Sequence, residues 1–256
     1  MFTLLSVPIH NLSRSEIEDW ILKRLSSNPL PLEEGELPKA EGIESKKFHH
    51  IATVNPEFLV EAKKNKKFAD ILKNRTSLNV CDGFGICFWA KVLYKKSIQR
   101  ITGVELAETI CRVAAEQKKS VYFLGGFGVA DKAAQVMKQK YLDLIIAGTE
   151  DGSPNTINYK LKNSAPDVVL VSFGAPKQEY WLQEFGAESG AKIGIGIGGT
   201  FDFWTGQTIR APKFFRFAGL EWFWRLVLYP QRWRRIWNAT VVFSWMVVRE
   251  FFCTKK

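Results

Sequence analysis

Short apolar runs recur along this chain, each followed by a stretch whose apolar residues return every three or four positions. No other feature restricts the fold as much. Residues 3–7, 50–54, 78–81, 121–124, 144–147, 167–171 and 192–197 read as strands. Between them, residues 13–26, 83–94, 103–117, 129–140, 155–163 and 177–185 read as helices. Pro56 opens another, since proline is tolerated in a first helical turn. Ser13, with Glu16 three residues on, has the spacing of a capping box. Elements in this order pack as a mainly parallel α/β sheet flanked by helices. Residues 28–47, rich in Pro, Glu and Gly, read as a surface insertion.

In such sheets ligands bind beyond the carboxyl ends of the strands. Five segments fall there: 53–56 (Thr-Val-Asn-Pro), 82–85 (Asp-Gly-Phe-Gly), 125–128 (Gly-Gly-Phe-Gly), 174–179 (Gly-Ala-Pro-Lys-Gln-Glu) and 198–202 (Gly-Gly-Thr-Phe-Asp). Four contain glycine, which lets backbone approach a phosphate closely, although the same glycines suit ordinary tight turns. Gly125 and Gly126 are well placed to aim amides at a diphosphate or nucleoside. Asp82 is either a general base for an attacking hydroxyl or the cap of the helix that follows it. Thr53 and Asn55 are either turn formers or donors to a sugar or phosphate. Arg100 is either a diphosphate clamp or a surface arginine near a helix start. Gly194, Gly196 and Gly199 formally satisfy G-x-G-x-x-G, but the alternation around them reads as a strand, whereas that fingerprint belongs between strand and helix.

The charge is unevenly placed. Residues 205–256 hold ten Lys/Arg against Glu221 and Glu250, so +8 of the formal +10 lies in the tail. Six of the nine tryptophans lie from Trp204 onward, and five of them (Trp222, Trp224, Trp233, Trp237, Trp245) fall within it. This divides the chain into a near-neutral body, 1–204, and a basic aromatic helical appendage, 205–256. Trp233, Ile236, Trp237, Thr240, Val241, Ser244, Trp245 and Val248 recur at three- and four-residue spacing, as one helix face. Such a face suits the interface of an anionic membrane, packing on the body, or packing on another subunit. Nucleic acid is not an expected partner, because no recognisable binding module accompanies the charge. Residues 236–252 are too short and too polar for a confident span, and the N-terminus does not read as a signal peptide. The four cysteines have no C-x-x-C or metal spacing and read as free, mostly buried thiols. With no D-x-D and only three histidines, no metal and no cofactor are expected.

Several segments together resemble one family, the WecG/TagA/CpsF glycosyltransferases. They are Thr-Val-Asn-Pro-Glu (53–57), Asp-Gly-Phe-Gly (82–85), Arg-Ile-Thr-Gly-Val-Glu-Leu (100–106), Phe-Leu-Gly-Gly (123–126), Phe-Gly-Ala-Pro-Lys-Gln-Glu-Tyr-Trp (173–181), Gly-Gly-Thr-Phe-Asp-Phe (198–203) and the Arg-Ala-Pro-Lys to Trp-Arg-Leu stretch (210–226). The resemblance implies a Rossmann-like domain that transfers a sugar with inversion from UDP, typically N-acetylmannosamine or its uronic acid. The implied acceptor is N-acetylglucosamine on a polyprenyl diphosphate, in cell-surface polysaccharide synthesis. A UDP-glucose enzyme for exopolysaccharide and a non-catalytic nucleotide-sugar scaffold are the alternatives. Asp82 is implied as base, and Thr53 as a second catalytic residue that contacts the sugar or phosphate. Asn55, Gly83, Arg100, Gly125, Gly126, Gln178, Glu179, Gly199 and Asp202 are implied on the substrate side. Arg210, Arg225, Arg232 and Arg235 are implied at the lipid diphosphate. The implied location is peripheral, on the cytoplasmic face of the bacterial plasma membrane. Self-association is a further expected way to cover the tail's apolar surface.

Overall fold

A computed structural model of the chain describes residues 1–26, 48–209, 211–212, 214–215 and 219–254, with backbone alone at 221, 225 and 254. The 28–47 insertion and Arg210 therefore lie outside the described residues, as does the side chain of Arg225. The chain opens with a hairpin, not the single strand expected over residues 3–7. Strands β1 (Phe2–Leu4) and β2 (Val7–Ile9) pair antiparallel, with Phe2 opposite Ile9. Leu5 and Ser6 both take positive φ, 49° and 64°, so the two-residue turn has the mirror-image twist that hairpins require. The usual Asn-Gly signal is missing, and Leu5 accepts this conformation with its side chain buried.

Six further strands form one parallel sheet: β3 (His49–Val54), β4 (Leu78–Cys81), β5 (Ser120–Gly125), β6 (Ile145–Glu150), β7 (Val168–Ser172) and β8 (Ile193–Gly196). Their order is β4-β3-β8-β7-β5-β6. Every pairing in it is parallel. The central strands read as unbroken apolar runs because both of their faces are covered. On one face, alternate residues such as Ile51, Val121, Phe123 and Ile195 form a core with helices α1 (Arg14–Leu25), α5 (Gly103–Glu116) and α6 (Ala130–Lys140). On the other face, Ala52 and Val54 pack on α2 (Pro56–Lys64), the short α3 (Lys66–Asp70) and α4 (Phe84–Tyr94). Tyr122, Leu124, Val169 and Val171 pack there on α7 (Tyr159–Ser164) and α8 (Lys177–Phe185).

The capping box at Ser13 forms in both directions. The helix expected over 155–163 starts later, because Asn158 caps it by accepting the Lys160 N–H at 2.7 Å, and residues 151–158 cross the end of the sheet as a loop. A short helix α9 (Thr200–Trp204), not expected from the sequence, follows β8.

The tail continues through α10 (Glu221–Leu228), a 3₁₀ turn (Pro230–Arg232), α11 (Trp233–Trp237), a π turn (Asn238–Val242) and α12 (Phe243–Thr254). The side it packs on the body is the one next to the aromatic row. Phe243 and Val247 are buried, with Val242 and Met246 beside them, in the same cluster as the N-terminal hairpin and α4. Trp89 Nε1 donates to Ser244 Oγ at 3.0 Å, and the Leu5 N–H donates to Glu250 Oε2 at 2.9 Å. The expected aromatic face looks outward, with Trp233, Trp237, Val241 and Trp245 each 45–59% exposed. Arg234 and Arg249 lie over the Trp233 and Trp245 rings, at 5.4 and 5.1 Å. Among the described residues no helix is long and apolar enough to cross a membrane.

Candidate active site

The loops after β4, β3 and β8 lie side by side at the carboxyl edge, since those strands are neighbours. Asp82 extends β4 by one residue, its N–H donating to Val54 O at 2.9 Å. Segment 100–103 is laced along it. Ile101 N–H bonds Cys81 O at 2.9 Å, and Arg100 Nε donates to Asp82 O at 2.9 Å. The Asp82 carboxylate accepts the Gly103 N–H at 3.2 Å, at the first turn of α5. It does not cap α4, whose N-cap is Gly83 with no side-chain bond. The positive end of the α5 dipole therefore faces this carboxylate. A methyl group on Gly103 would lie 3.6 Å from both Asp82 Oδ2 and Thr53 Oγ1, so both side chains rest against the same glycine.

Thr53 is buried and donates to Gly196 O at 3.1 Å, tying β3 to β8. Asn55 caps α2 through Oδ1, which accepts the Phe58 N–H at 3.1 Å. Among the described residues no protein acceptor takes its Nδ2, which leaves two donors at the strand end. Gly83 serves packing: a side chain there would meet Pro56 at 2.3 Å. Arg100 is more than a surface residue near a helix start, because its Nε holds the backbone of the base candidate. Beneath Asp82, the thiols of Cys81 and Cys87 lie 3.5 Å apart.

Gln178 is buried behind the β7 and β8 loops and joins them. Its Oε1 accepts the N–H of Gly174 at 3.1 Å and of Gly198 at 3.0 Å, while Nε2 donates to Glu179 Oε1 at 2.8 Å. Ser172 Oγ donates to Gly198 O on the same loop. Glu179 is fully buried, and its Oε2 has no partner among the described residues. Burial pushes its carboxyl up to about 7, against the pull of the Gln178 hydrogen bond. The glycine alternation of β8 is explained by this docking. A side chain on Gly194 would meet Leu182 and Phe48, and one on Gly196 would meet Gln178 and Glu179, so these glycines belong to a strand and serve helix packing. Gly199 lies near the Asp202 carboxylate, 3.2 Å from where a methyl group would reach it. Burial raises the Asp202 carboxyl, and the nearby charge of Arg232 opposes the shift. Arg235 reaches the other side of the edge, with Nε and Nη2 at 3.0 and 2.7 Å from Glu57 Oε2.

At the far half of the edge, Gly125, Gly126 and Gly128 have φ of 93°, 92° and 89°. The first two are held close, since a side chain on Gly125 would meet Ser172 backbone at 2.9 Å and one on Gly126 would meet Phe201 at 2.8 Å. Phe127, between Gly126 and Gly128, is 92% exposed. Beside this loop lies a cavity of about 380 Å³, with Leu124, Leu161 and Trp181 in its wall and Glu150, Thr156 and Asn158 among its polar lining. None of its lining residues belongs to the loops around Asp82. Glu150 and Asn158 were not legible as site candidates, since their pairing (Asn158 Nδ2 to Glu150 Oε1, 2.6 Å) depends on the loop crossing the sheet end. Among the described residues no three His, Cys, Asp or Glu side chains gather as a metal site would need.

The chain is similar to proteins named N-acetylglucosaminyldiphosphoundecaprenol N-acetyl-beta-D-mannosaminyltransferase. The one from Bacillus spizizenii is 32% identical over 198 residues, covering 76% of this chain and 77% of the relative. That from Bacillus subtilis is 30% identical over 190 residues, covering 73% and 74%. One from Staphylococcus aureus is also 30% identical over 190 residues, covering 73% of each. The family model described as "Glycosyl transferase WecG/TagA/CpsF family" matches residues 34–256. With the α/β sheet, the strand-end carboxylate and the arginine-bearing tail in place, this match identifies the chain as a glycosyltransferase of the WecG/TagA/CpsF family.

Proposed function

We propose that this family member transfers an N-acetylhexosamine, N-acetylmannosamine or its uronic acid, from UDP to N-acetylglucosamine carried on a polyprenyl diphosphate, with inversion. The names of its relatives support the sugar and acceptor classes, and the β linkage in those names supports inversion from an α-linked nucleotide sugar. The observation that carries the mechanism is the Asp82 carboxylate, fixed by the Gly103 amide and lying with Thr53 against one glycine at the carboxyl edge. The acceptor hydroxyl attacks the anomeric carbon from the face opposite UDP, and Asp82 takes its proton as the new bond forms. General-base assistance of this kind contributes roughly 10²- to 10⁴-fold. Asn55 Nδ2 meets a donor oxygen, and the strand-end loops at Gly125 and Gly198 face the nucleotide sugar. Arg232, with Arg210 and Arg225, meets the diphosphates, whose charge needs preorganised donors as UDP departs.

In this reading residues 1–204 bind and activate the nucleotide sugar, and residues 205–256 bring the enzyme to the lipid acceptor at the cytoplasmic face of the membrane. The outward row of Trp233, Trp237 and Trp245, with arginines over two of those rings, supports an interfacial role. The test is Asp82→Asn with a UDP-N-acetylmannosamine donor and a short-chain polyprenyl-diphosphate-N-acetylglucosamine acceptor. We expect kcat to fall by about 10²-fold or more with donor affinity unchanged. Near-normal turnover would remove Asp82 as the base.

A further inference from the structure

We infer that Glu57 is a positioning residue for this reaction: it docks Arg235, and through Arg235 it holds segment 230–237 beside the carboxyl end of β3. The inference rests on the function proposed above and concerns how the tail is held in place. Glu57 sits in the first turn of α2, two residues after Asn55. Acidic residues are common there because they face the positive helix end, yet the cap itself is Asn55. The Glu57 carboxylate instead takes two donors of Arg235 on one oxygen, Oε2.

Segment 230–237 itself has little else to locate it. The 3₁₀ turn and α11 contain no buried residue, and their nearest apolar anchor is Val242 of the π turn, packed beside the hairpin cluster. From residue 230 onward the first fully buried residue is Phe243. Arg232 and Arg235 are three residues apart, about one helical turn or 5 Å of rise. Fixing the second therefore limits where the first can reach, and the charge of Arg232 opposes the burial-driven rise of the Asp202 carboxyl. Glu57 follows β3 and Asp202 follows β8, which are neighbouring strands, about 4.8 Å apart in a sheet. Glu57 and Asp202 thus flank one strand pair, beside the β4 end that carries Asp82. In this arrangement Arg235 works by being held, and Arg232 is the tail arginine set at the cleft.

The experiment uses full-length Glu57→Gln, Arg235→Glu and the exchanged pair E57R/R235E. The first readout is hydrogen exchange at amides 233–237 without substrates. The second is steady-state kinetics with UDP-N-acetylmannosamine and the short-chain lipid acceptor. Both single variants are expected to exchange faster across 233–237. Their acceptor KM should rise about fivefold, the upper range for an exposed ion pair, with donor KM within about twofold of wild type. The exchanged pair is expected to recover both readouts, which a ligand role for Arg235 or a general loss of fold would not allow. Unchanged exchange in Glu57→Gln, or no recovery in the exchanged pair, overturns the inference. Absence of transfer by the wild-type protein would count against the proposed function and leaves the exchange arm intact.

Discussion

Replacing Gly196 by alanine puts a methyl group 2.4 Å from Gln178 Nε2, 2.6 Å from Glu179 Oε1 and 2.8 Å from Gln178 Cδ. None of these atoms is free to yield. Gln178 and Glu179 are buried, and Gln178 Oε1 is pinned by the amides of Gly174 and Gly198. Overpacking a filled interior costs about 1–3 kcal/mol. Displacing Gln178 also strains three hydrogen bonds, each contributing about 1 kcal/mol. Loss of one or two of them brings the expected destabilisation to about 3–4 kcal/mol. In a chain of this size that lowers Tm by roughly 6–15 °C. Urea unfolding of Gly196→Ala against wild type measures the loss. The double variant with Gln178→Ala makes room for the methyl group, so its cost should fall short of the sum of the single costs by about 1–2 kcal/mol. Activity should fall with stability, because the Gly198 loop and the Thr53 hydrogen bond to Gly196 O share this backbone. A Gly196→Ala protein within about 0.5 kcal/mol of wild type, or strict additivity with Gln178→Ala, would refute the close-approach reasoning.

Glu179→Gln tests the buried carboxyl. Its folded pKa is raised from 4.5 to about 7, so its contribution is intact below about pH 4.5 and is lost as pH rises through 7. The variant should therefore gain on wild type with pH, by about 3 kcal/mol between pH 4.5 and 8, and urea midpoints that shift equally at both pH values would refute this. Phe243→Ala removes a buried ring from the cluster shared by tail and hairpin, and should lower one cooperative unfolding transition by about 3–5 kcal/mol. An unchanged main transition with only the tail released would contradict shared packing. Neutralising Arg234 and Arg249 should weaken binding to anionic vesicles by about 1 kcal/mol each in a flotation assay, and no change would remove those arginines from the membrane contact.

The strand and helix alternation was legible because parallel strands covered on both faces must be continuous apolar runs. The spans 78–81 and 177–185 match β4 and α8 residue for residue. Where local signals are weak, the sequence reading slipped. The turn at Leu5 and Ser6 carries no glycine or asparagine, so two short strands looked like one. Asn158, not residue 155, begins α7 because its side chain completes the cap. The carboxylate at Asp82 could be picked out from its place after a strand, but its partner could not. Gly103 is 21 residues away and is brought to it only by the return of the chain along β4.

Periodicity, glycine placement and charge are local properties, so the layered α/β class, the strand-end loops and the contrast between body and tail are written into the amino-acid order. Which face of the tail is covered depends on long-range packing. Spacing identifies a repeating aromatic row but not what lies opposite it. The neighbouring row, with Phe243 and Val247, finds the apolar surface of the hairpin and α4 and is buried there, while the tryptophans remain outside. Tertiary structure also decided that Gln178 braces two loops from behind and that Arg235 meets Glu57, since each contact joins residues from separate elements whose proximity depends on strand order.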